Sequence, residues 1–169
     1  RQMFTYYTRY IDDIFLVYSG RMDELDTILE SMNTEMDGIR LTFSDALQSL
    51  PFLDLTVTIR EEALVFSSYE KPMNPFSYLP AFSSHPPATL RGFVKGELIR
   101  HLRHNTEYST FNLSRWKFYS RLISRGYSPT MLRPIFSSVL FTSRQTSLFP
   151  PAPQEPPQRI IALIIPYSP

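Results

Sequence analysis

The sequence contains no cysteine among its 169 residues. This absence excludes a disulfide-stabilised scaffold and a zinc site built on thiolates, and it favours a reducing compartment. Long apolar runs are also missing: none approaches the ~20 residues that a helix needs to cross a bilayer, so we expect no membrane partner. Glycine is scarce, with five residues, whereas proline is abundant, with fifteen. Hydrophobic residues at 43% and charged residues at 20% indicate a folded, globular chain.

The net charge of +1 conceals two segments of opposite sign. Residues 1–60 carry ten acids and five arginines, whereas residues 91–144 carry ten lysines or arginines and two glutamates. An acidic segment followed by a basic one suggests that the first holds cations and the second holds a polyanion. Two ordinarily solvated surfaces would explain the same charges, and the charge pattern alone does not decide between these interpretations.

The first 69 residues predict a mixed α+β unit. Aromatic and β-branched residues on both sides of an acid pair, between Phe4 and Tyr18, predict strand–turn–strand. Apolar residues at helical spacing, with acids in the first turn and Gly38 beyond the end, predict a helix over 22–37. Three short strands are predicted after it, at 39–43, 52–59 and 64–69. The order β-β-α-β-β-β predicts one antiparallel sheet with one covering helix.

The rest of the chain has a different pattern. Five prolines within residues 71–87 predict an extended linker. Residues 88–148 then show helical periodicity, which predicts three helices, at 90–102, at 113–126 and from the Ser128-Pro129 N-cap onward. We expect Pro134 to kink or shorten the third helix. Residues 149–169 begin with a proline-rich spacer and end in an apolar stretch at 159–166 that predicts a buried strand.

Asp12 and Asp13 are the clearest chemical signal. Adjacent acids usually mark a solvated turn, but here they lie between apolar stretches without the glycine or asparagine of a common tight turn. Neighbouring carboxylates repel each other and are costly to desolvate unless a cation compensates. Mg²⁺ takes one or two carboxylates plus waters and phosphates, and two such ions can support in-line phosphoryl displacement. A third carboxylate is needed; Asp45 and Asp54 are candidates, although Asp54 can equally face outward from a strand.

The segment Tyr10-Ile11-Asp12-Asp13, with its apolar flanks, resembles the Tyr-x-Asp-Asp hairpin in the palm of reverse transcriptases. The segments that follow resemble the same family in the same order. The helix at 22–37 with residues 40–44 is similar to motif D, and Leu50-Pro-Phe-Leu-Asp-Leu-Thr-Val57 is similar to the primer-grip region, represented by Phe52, Leu53 and Asp54. The resemblance implies that residues 1–70 form a partial polymerase palm, from motif C to the primer grip.

The similarity extends through the second half of the chain. Residues 92–103 resemble the start of the thumb in Penelope-like and related retroelement polymerases, and residues 118–129 resemble its Arg-Gly-Tyr turn. The resemblance implies a helical, helix-turn-helix-like thumb over 88–148 after a linker at 71–87. In that family the fingers and the metal-binding motif A come before the region seen here. We therefore expect a fragment of a nuclear RNA-directed DNA polymerase that is inactive alone.

The resemblance also implies ligands. Asp12 and Asp13 would be the catalytic residues and would bind Mg²⁺, in a two-metal site that these two carboxylates leave incomplete. The partners would be an RNA template–DNA primer duplex and, in the full-length enzyme, deoxynucleotides.

The basic residues of the second half are expected to grip phosphates, which supplies affinity without sequence preference. The candidates are Lys71, Arg91, Lys95, Arg100, Arg103, Arg115, Lys117, Arg121 and Arg125. About five phosphate contacts would make log affinity fall with log salt at a slope of roughly −3.5 to −4.5. Trp116, Tyr119 and Tyr127 lie among these charges and would be placed to stack on a base or sugar, although helical spacing favours a core position for Trp116.

A non-catalytic alternative uses the same residues. The helix at 113–126, the Arg-Gly-Tyr turn and the helix that follows would form a helix-turn-helix-like module that binds nucleic acid. The inert product of a decayed element is a third interpretation. His101 and His104 lack two further ligands for zinc, so we expect them to be surface positions of a helix.

Overall fold

The computed structural model describes residues 4–35, 38, 40–42, 48–61 and 63–151, and the fold is α+β as predicted. The strands are β1 (Phe4–Tyr10), β2 (Asp13–Tyr18), β3 (Ser49–Phe52), β4 (Leu55–Arg60) and β5 (Ala63–Ser68). The helices are α1 (Met22–Glu35), α2 (Pro87–His104), α3 (Tyr108–Ser124), α4 (Pro129–Ser138) and α5 (Arg144–Leu148), with a 3₁₀ turn (Phe141–Ser143) before α5. None of the helices in these ranges is long and apolar enough to cross a membrane.

Strands β1 and β2 form the predicted antiparallel ribbon. Tyr10 pairs with Asp13, so that Ile11 and Asp12 make a two-residue turn. Ile11 has a φ of 54°, which a β-branched residue rarely adopts. The turn is therefore built without the glycine or asparagine that normally supplies a positive φ.

Strands β3, β4 and β5 form a second antiparallel sheet, so the prediction of one sheet is wrong for the described residues. The predicted strand at 52–59 is in fact two strands, because Phe52 pairs with Leu55 across a tight turn. Leu53 and Asp54 occupy that turn, and Leu53 has a φ of 55°. The apolar alternation of residues 52–59 continues through this turn, so the sequence pattern alone does not reveal it. The prediction of a strand at 64–69 is confirmed, within one residue, by β5.

Helix α1 confirms the helix predicted at 22–37 as far as residue 35, but none of its described side chains is buried. The strand predicted at 39–43 is wrong for its described part, residues 40–42, which lie in no strand. The reason is that the Asn33 side chain binds both backbone polar groups of Leu41. Its Nδ2 donates to the Leu41 carbonyl at 3.0 Å, and its Oδ1 accepts from the Leu41 N–H at 2.6 Å. Those backbone groups are therefore not free for a strand ladder.

The helices after residue 86 enclose the core of the protein. Helix α2 buries the apolar face that its helical periodicity predicts. The residues of that face pack against apolar side chains from α3, α4 and the turn between them. The buried apolar residues of this core are Leu90, Val94, Leu98, Leu102, Phe111, Phe118, Leu122, Tyr127, Leu132, Phe136 and Val139. Helix α5 and the 3₁₀ turn before it were not predicted.

Apolar spacing over 113–126 predicts a buried face that includes Leu113, Trp116 and Leu122, and only Leu122 of these is buried. Phe111, Phe118 and Leu122 are buried, and their spacing of seven and four residues puts them on one face of α3. Leu113 and Trp116 lie on the other side and are exposed, Trp116 by 63%. The expected core position of Trp116 is therefore wrong, because three phenylalanine and leucine side chains already fill the inner face.

Helix α4 begins as predicted. Ser128 is its N-cap and accepts a hydrogen bond from the Met131 N–H at 3.3 Å, and proline follows at the first helical position. The helix continues past Pro134 to Ser138, so the predicted shortening at that proline is wrong. Helix α4 has ten residues, and the apolar ring of Pro134 lies on the exposed side of this helix.

The second sheet is joined to the bundle through the loop between α2 and α3. The Thr106 N–H donates to the Phe66 carbonyl, and the Phe66 N–H donates back to the Thr106 hydroxyl, both at 2.9 Å. Asn105, fully buried, donates from Nδ2 to the Ser68 hydroxyl at 3.0 Å and to the His101 carbonyl at 2.7 Å. This loop is thus joined to β5 by one backbone–backbone hydrogen bond and by the side chains of Asn105 and Thr106.

The predicted linker at 71–87 has no helix or strand before α2. Part of it nevertheless packs on the bundle core, through Tyr78, Leu79 and Ala81. The strand predicted at 159–166 and most of the proline-rich spacer lie outside the described residues.

Candidate nucleic-acid interface

Helices α3 and α4 are joined by a four-residue turn, Arg125 to Ser128, in which Gly126 has a φ of 86°. Tyr127 is buried in this turn, and its hydroxyl donates to the Leu79 carbonyl at 3.0 Å. Two helices joined by a short glycine-containing turn define a helix-turn-helix unit. The prediction that Tyr127 could stack on a base is wrong, because its ring is committed to holding the turn against the segment before α2.

Helix α4 has an inner and an outer face. Leu132 and Phe136 are buried on the inner face, whereas Thr130, Arg133 and Pro134 are exposed on the outer one. In helix-turn-helix proteins the second helix lies in the major groove with its N-terminal residues near base edges. We name the exposed side of α4 the outer ridge.

A cleft of about 340 Å³ lies between α2 and α4, on one side of the outer ridge. Arg91 and Lys95, one turn apart on α2, line it opposite Met131, Pro134 and Ile135. Neither Arg91 nor Lys95 has a side-chain hydrogen bond or ion pair with any residue that the structure describes. Both charges therefore face solvent next to α4.

A second cleft, of about 430 Å³, lies between α3 and α4 on the other side of the ridge. We call it the α3/α4 cleft. Trp116 and Tyr119 contact each other edge to face at 6.0 Å, and Tyr119 stands edge-on to Phe136 at 5.3 Å. Arg115 donates from Nη2 to the Phe136 carbonyl at 2.7 Å, and Arg133 lines the same cleft from α4.

Three of the predicted phosphate-binding cations are instead held by acids of the sheet side. Arg121 binds Glu70 through both guanidinium nitrogens, at 2.8 and 3.0 Å, and Lys117 binds the same carboxylate at 3.1 Å. The hydrogen bond from Arg121 holds the pKa of the Glu70 carboxyl below its usual value. Arg100 pairs with Asp54 at 2.9 Å and with Glu97 at 2.7 Å. These three cations are thus paired within the chain, with Lys117 and Arg121 sharing one carboxylate.

Two further candidates act as structural donors. Arg103 donates from Nε to the carbonyl and hydroxyl of Ser147, at 3.1 and 3.0 Å, and so fixes α5 against α2. Arg115 spans α3 and α4 through the Phe136 carbonyl, with its guanidinium 5.6 Å from the Phe136 ring. Both remain cationic, but their positions are fixed by the fold.

Four cations of the bundle have no side-chain partner among the described residues: Arg91, Lys95, Arg125 and Arg133. All four lie on α4, in the turn that leads into it, or in the cleft beside it. Lys71, in the segment before α2, is likewise exposed and without a described partner. The unpaired positive charge is therefore concentrated around the outer ridge.

Arg133 was not among the candidates drawn from the sequence. The signal for it was present, because it is the fifth residue of a helix that begins with Ser-Pro directly after the Arg-Gly-Tyr turn.

The predicted surface positions of the two histidines are wrong for His101. Its ring is 7% exposed and lies 5.6 Å from the Phe118 ring, and Nδ1 is 3.4 Å from the Ser68 hydroxyl. Burial lowers the pKa of His101 to about 4, and burial also lowers the pKa of the half-buried His104. His101 is therefore neutral near pH 7 and belongs to the core.

The acid pair lies where the hairpin prediction put it. Asp12 is in the turn of the ribbon, Asp13 is the first residue of β2, and both are exposed. Asp54 is not brought to them as a third ligand, because it pairs with Arg100; Asp45 lies outside the described residues. The described part of the chain contains no group of three or more acidic, histidine or cysteine side chains that could hold a metal.

The residues predicted as a primer grip join the two sheets. The Phe52 ring lies 5.2 Å from the Phe15 ring of β2, and Leu53 and Asp54 form the adjoining turn. The ribbon that carries the acids is therefore packed, through one aromatic pair, against the β3–β4 turn.

Comparison with known proteins agrees with the helix-turn-helix geometry. Residues 77–137 match the family described as the animal helix-turn-helix domain. The match begins just before Tyr78, which packs on the core, and ends within α4. No curated protein matches the chain, and no solved structure does.

Proposed function

We propose that the helix-turn-helix unit binds nucleic acid through the outer ridge of α4. The observation that carries the proposal is the separation of paired from unpaired cations. Arg100, Lys117 and Arg121 pair with Asp54, Glu97 and Glu70, whereas the four bundle cations without described partners surround α4.

The arrangement favours binding that depends mainly on the phosphate backbone. Arg91 and Lys95 flank the ridge on the α2 side, and Arg133 lies on the ridge itself, where it lines the cleft on the α3 side. Cations on both sides of a helix can meet phosphates while the helix itself lies in a groove. Arg133 is the only basic residue of α4, so direct reading of base edges would be limited to one arginine, whose preferred contact is guanine.

The test compares two triple variants of the chain. Arg91→Gln, Lys95→Gln and Arg133→Gln together should weaken binding to a short duplex by about tenfold or more, because three phosphate contacts are lost. The matched control, Arg9→Gln, Arg21→Gln and Arg40→Gln, removes three exposed charges from the other half of the chain and should change affinity less than about twofold. Fluorescence anisotropy measures both. Equal losses in the two variants would refute the assignment to α4.

A second candidate function concerns the ribbon. We also infer that β1 and β2 are the acid-bearing hairpin of a reverse transcriptase palm, with Mg²⁺ as its cation and a primed template as its partner. What favours this is the place of Asp12 and Asp13 at the apex of a paired antiparallel ribbon whose flanks are apolar. Two carboxylates with waters and phosphates are a normal Mg²⁺ set, and in-line phosphoryl transfer needs at least one more carboxylate.

The ribbon proposal is tested by metal mapping. Mn²⁺ added in place of Mg²⁺ should broaden the amide NMR signals of residues 10–14 first, and Asp12→Asn with Asp13→Asn should abolish that effect. Asp23→Asn with Glu24→Gln, an adjacent exposed pair on α1, is the matched control and should leave the effect intact. Broadening spread equally over both acid pairs would contradict a metal site at the hairpin apex.

A further inference from the structure

The α3/α4 cleft contains an exposed aromatic side chain that the binding of a regular duplex does not explain. Trp116 is the only tryptophan of the chain and is 63% exposed, on a helix whose inner face is completely filled. Its edge-to-face contact with Tyr119 fixes one side of the indole. One side of the large aromatic ring is therefore in contact with Tyr119, while most of its surface stays open to a ligand.

Two polar groups near the Trp116 ring have no hydrogen-bond partner among the described residues. The Asn112 amide and the Arg133 guanidinium line the cleft, and neither has a hydrogen bond with any described residue. Arg115 is anchored on the Phe136 carbonyl, so its charge is fixed within the cleft. None of the described residues that line it is acidic. The cleft thus offers a flat apolar surface, two guanidinium groups and a free amide.

We propose that this cleft takes an unpaired base of a single-stranded or looped nucleic acid, stacked on Trp116, with the adjacent phosphate on Arg133. This inference rests on the proposed function and adds to it the class of nucleic acid. Aromatic side chains bind single strands by stacking on bases, whose faces are accessible only when the base is not enclosed in a duplex. Asn112 would then be placed to contact the edge of the base.

An apolar peptide is a poorer fit to the same cleft. It would cover Arg133 and Asn112 without offering either a partner, and leaving buried charged or amide groups unpaired is costly. A nucleotide provides a flat apolar face and a negative charge together. Charge complementarity therefore selects a nucleic acid strand as the occupant.

The experiment uses the single tryptophan as its own probe. An oligothymidylate should quench Trp116 fluorescence on binding, whereas a duplex of the same length should quench it much less. Trp116→Ala should weaken single-strand binding by about tenfold or more and duplex binding by less than about twofold, and Trp116→Phe should recover most of the loss because a ring is retained. Phe82→Ala, which removes an aromatic ring 86% exposed outside the cleft, is the matched control and should change neither affinity.

The outcomes separate the two proposals. Suppose that duplex binding needs the ridge cations, while oligothymidylate leaves Trp116 fluorescence unchanged and binds Trp116→Ala as tightly as the native chain. That result would overturn the cleft assignment and leave the proposed function standing. No binding of either nucleic acid by the chain would overturn both. Quenching by an amphipathic peptide and by neither oligonucleotide would also overturn the cleft assignment. Because Trp116 is exposed, the far-UV circular dichroism of Trp116→Ala should match that of the native chain.

Discussion

The sheets and the bundle of this protein are stabilised in different ways. Eleven apolar residues are buried in the cluster at the centre of α2, α3 and α4, whereas in the described residues before position 77 only Val57 is buried. In the β1–β2 ribbon, Tyr6, Tyr7 and Tyr10 are each more than half exposed. The bundle thus has a core of its own, and the sheets depend on backbone pairing and on contacts with neighbours. The proposed nucleic-acid interface follows the same division, because both clefts lie beside α4 of the bundle.

The largest expected effect comes from the bundle core. Phe118 is fully buried and its ring contacts those of Tyr78, Phe93 and Phe136. Phe118→Ala should lower the free energy of unfolding by about 3 to 5 kcal/mol, through lost burial and the cavity that remains.

Phe15→Ala, in the ribbon, is the comparison for this substitution. Phe15 is half-buried, and its loss should shift the bundle transition by no more than about 1 kcal/mol. Urea denaturation followed by Trp116 fluorescence measures both variants. Equal shifts would show that the bundle and the ribbon share one core.

A smaller effect on the free energy of unfolding is expected when the pH is lowered. The pKa of His101 is about 4 in the folded chain, below the 6.5 of the unfolded one, so the unfolded state takes up a proton at a higher pH than the folded state does. The stabilisation from neutral His101 is complete above pH 6.5 and is lost as pH falls towards 4, by up to about 3 kcal/mol.

Denaturation curves at several pH values between 7.5 and 4.5 test this expectation. In His101→Gln the pH dependence should become clearly shallower, whereas His104→Gln, at a half-buried position, should reduce it less. An unchanged pH dependence in His101→Gln would mean that the pKa of His101 is the same in the folded and unfolded states, and would contradict its burial as a neutral side chain.

The smallest effect concerns the connection between the sheets and the bundle. Glu70 follows β5 and binds Arg121 and Lys117 of α3, and these groups are partly exposed. Glu70→Gln should lower the free energy of unfolding by about 1 kcal/mol, because a bidentate arginine contact is weakened. Glu61→Gln, an exposed turn residue, is the matched control and should be neutral by the same denaturation assay. A loss as large as that of Phe118→Ala would place Glu70 in the core of the fold.

Much of this architecture could be predicted from local pattern. The ribbon around Asp12 and Asp13, the α1 periodicity, the α2 stripe and the Ser128 cap all depend on neighbouring residues, and all are confirmed. The predictions that were wrong concern local structure that is fixed by residues distant in sequence. The turn at Leu53 and Asp54 has a positive φ at a leucine and is fixed by pairing of β3 with β4, which local alternation cannot reveal.

The candidate site was predicted only in part, for the same reason. Charge density along the sequence identifies the basic second half of the chain, but it does not show which cations have partners. Glu70 lies 51 residues from Arg121 and Asp54 lies 46 residues from Arg100, so neither pairing is visible as a local pattern. Trp116 was misplaced because the inner face of α3 was already occupied by Phe111, Phe118 and Leu122.

The salt dependence of nucleic-acid binding tests the central claim most directly. Four bundle cations without described partners, Arg91, Lys95, Arg125 and Arg133, predict that log affinity for a duplex falls with log salt at a slope of about −3.6. In the variant with Arg91→Gln, Lys95→Gln and Arg133→Gln the slope should fall to about −1, since one of the four remains. An unchanged slope in that variant, or a native affinity independent of salt, would contradict binding through the ridge of α4.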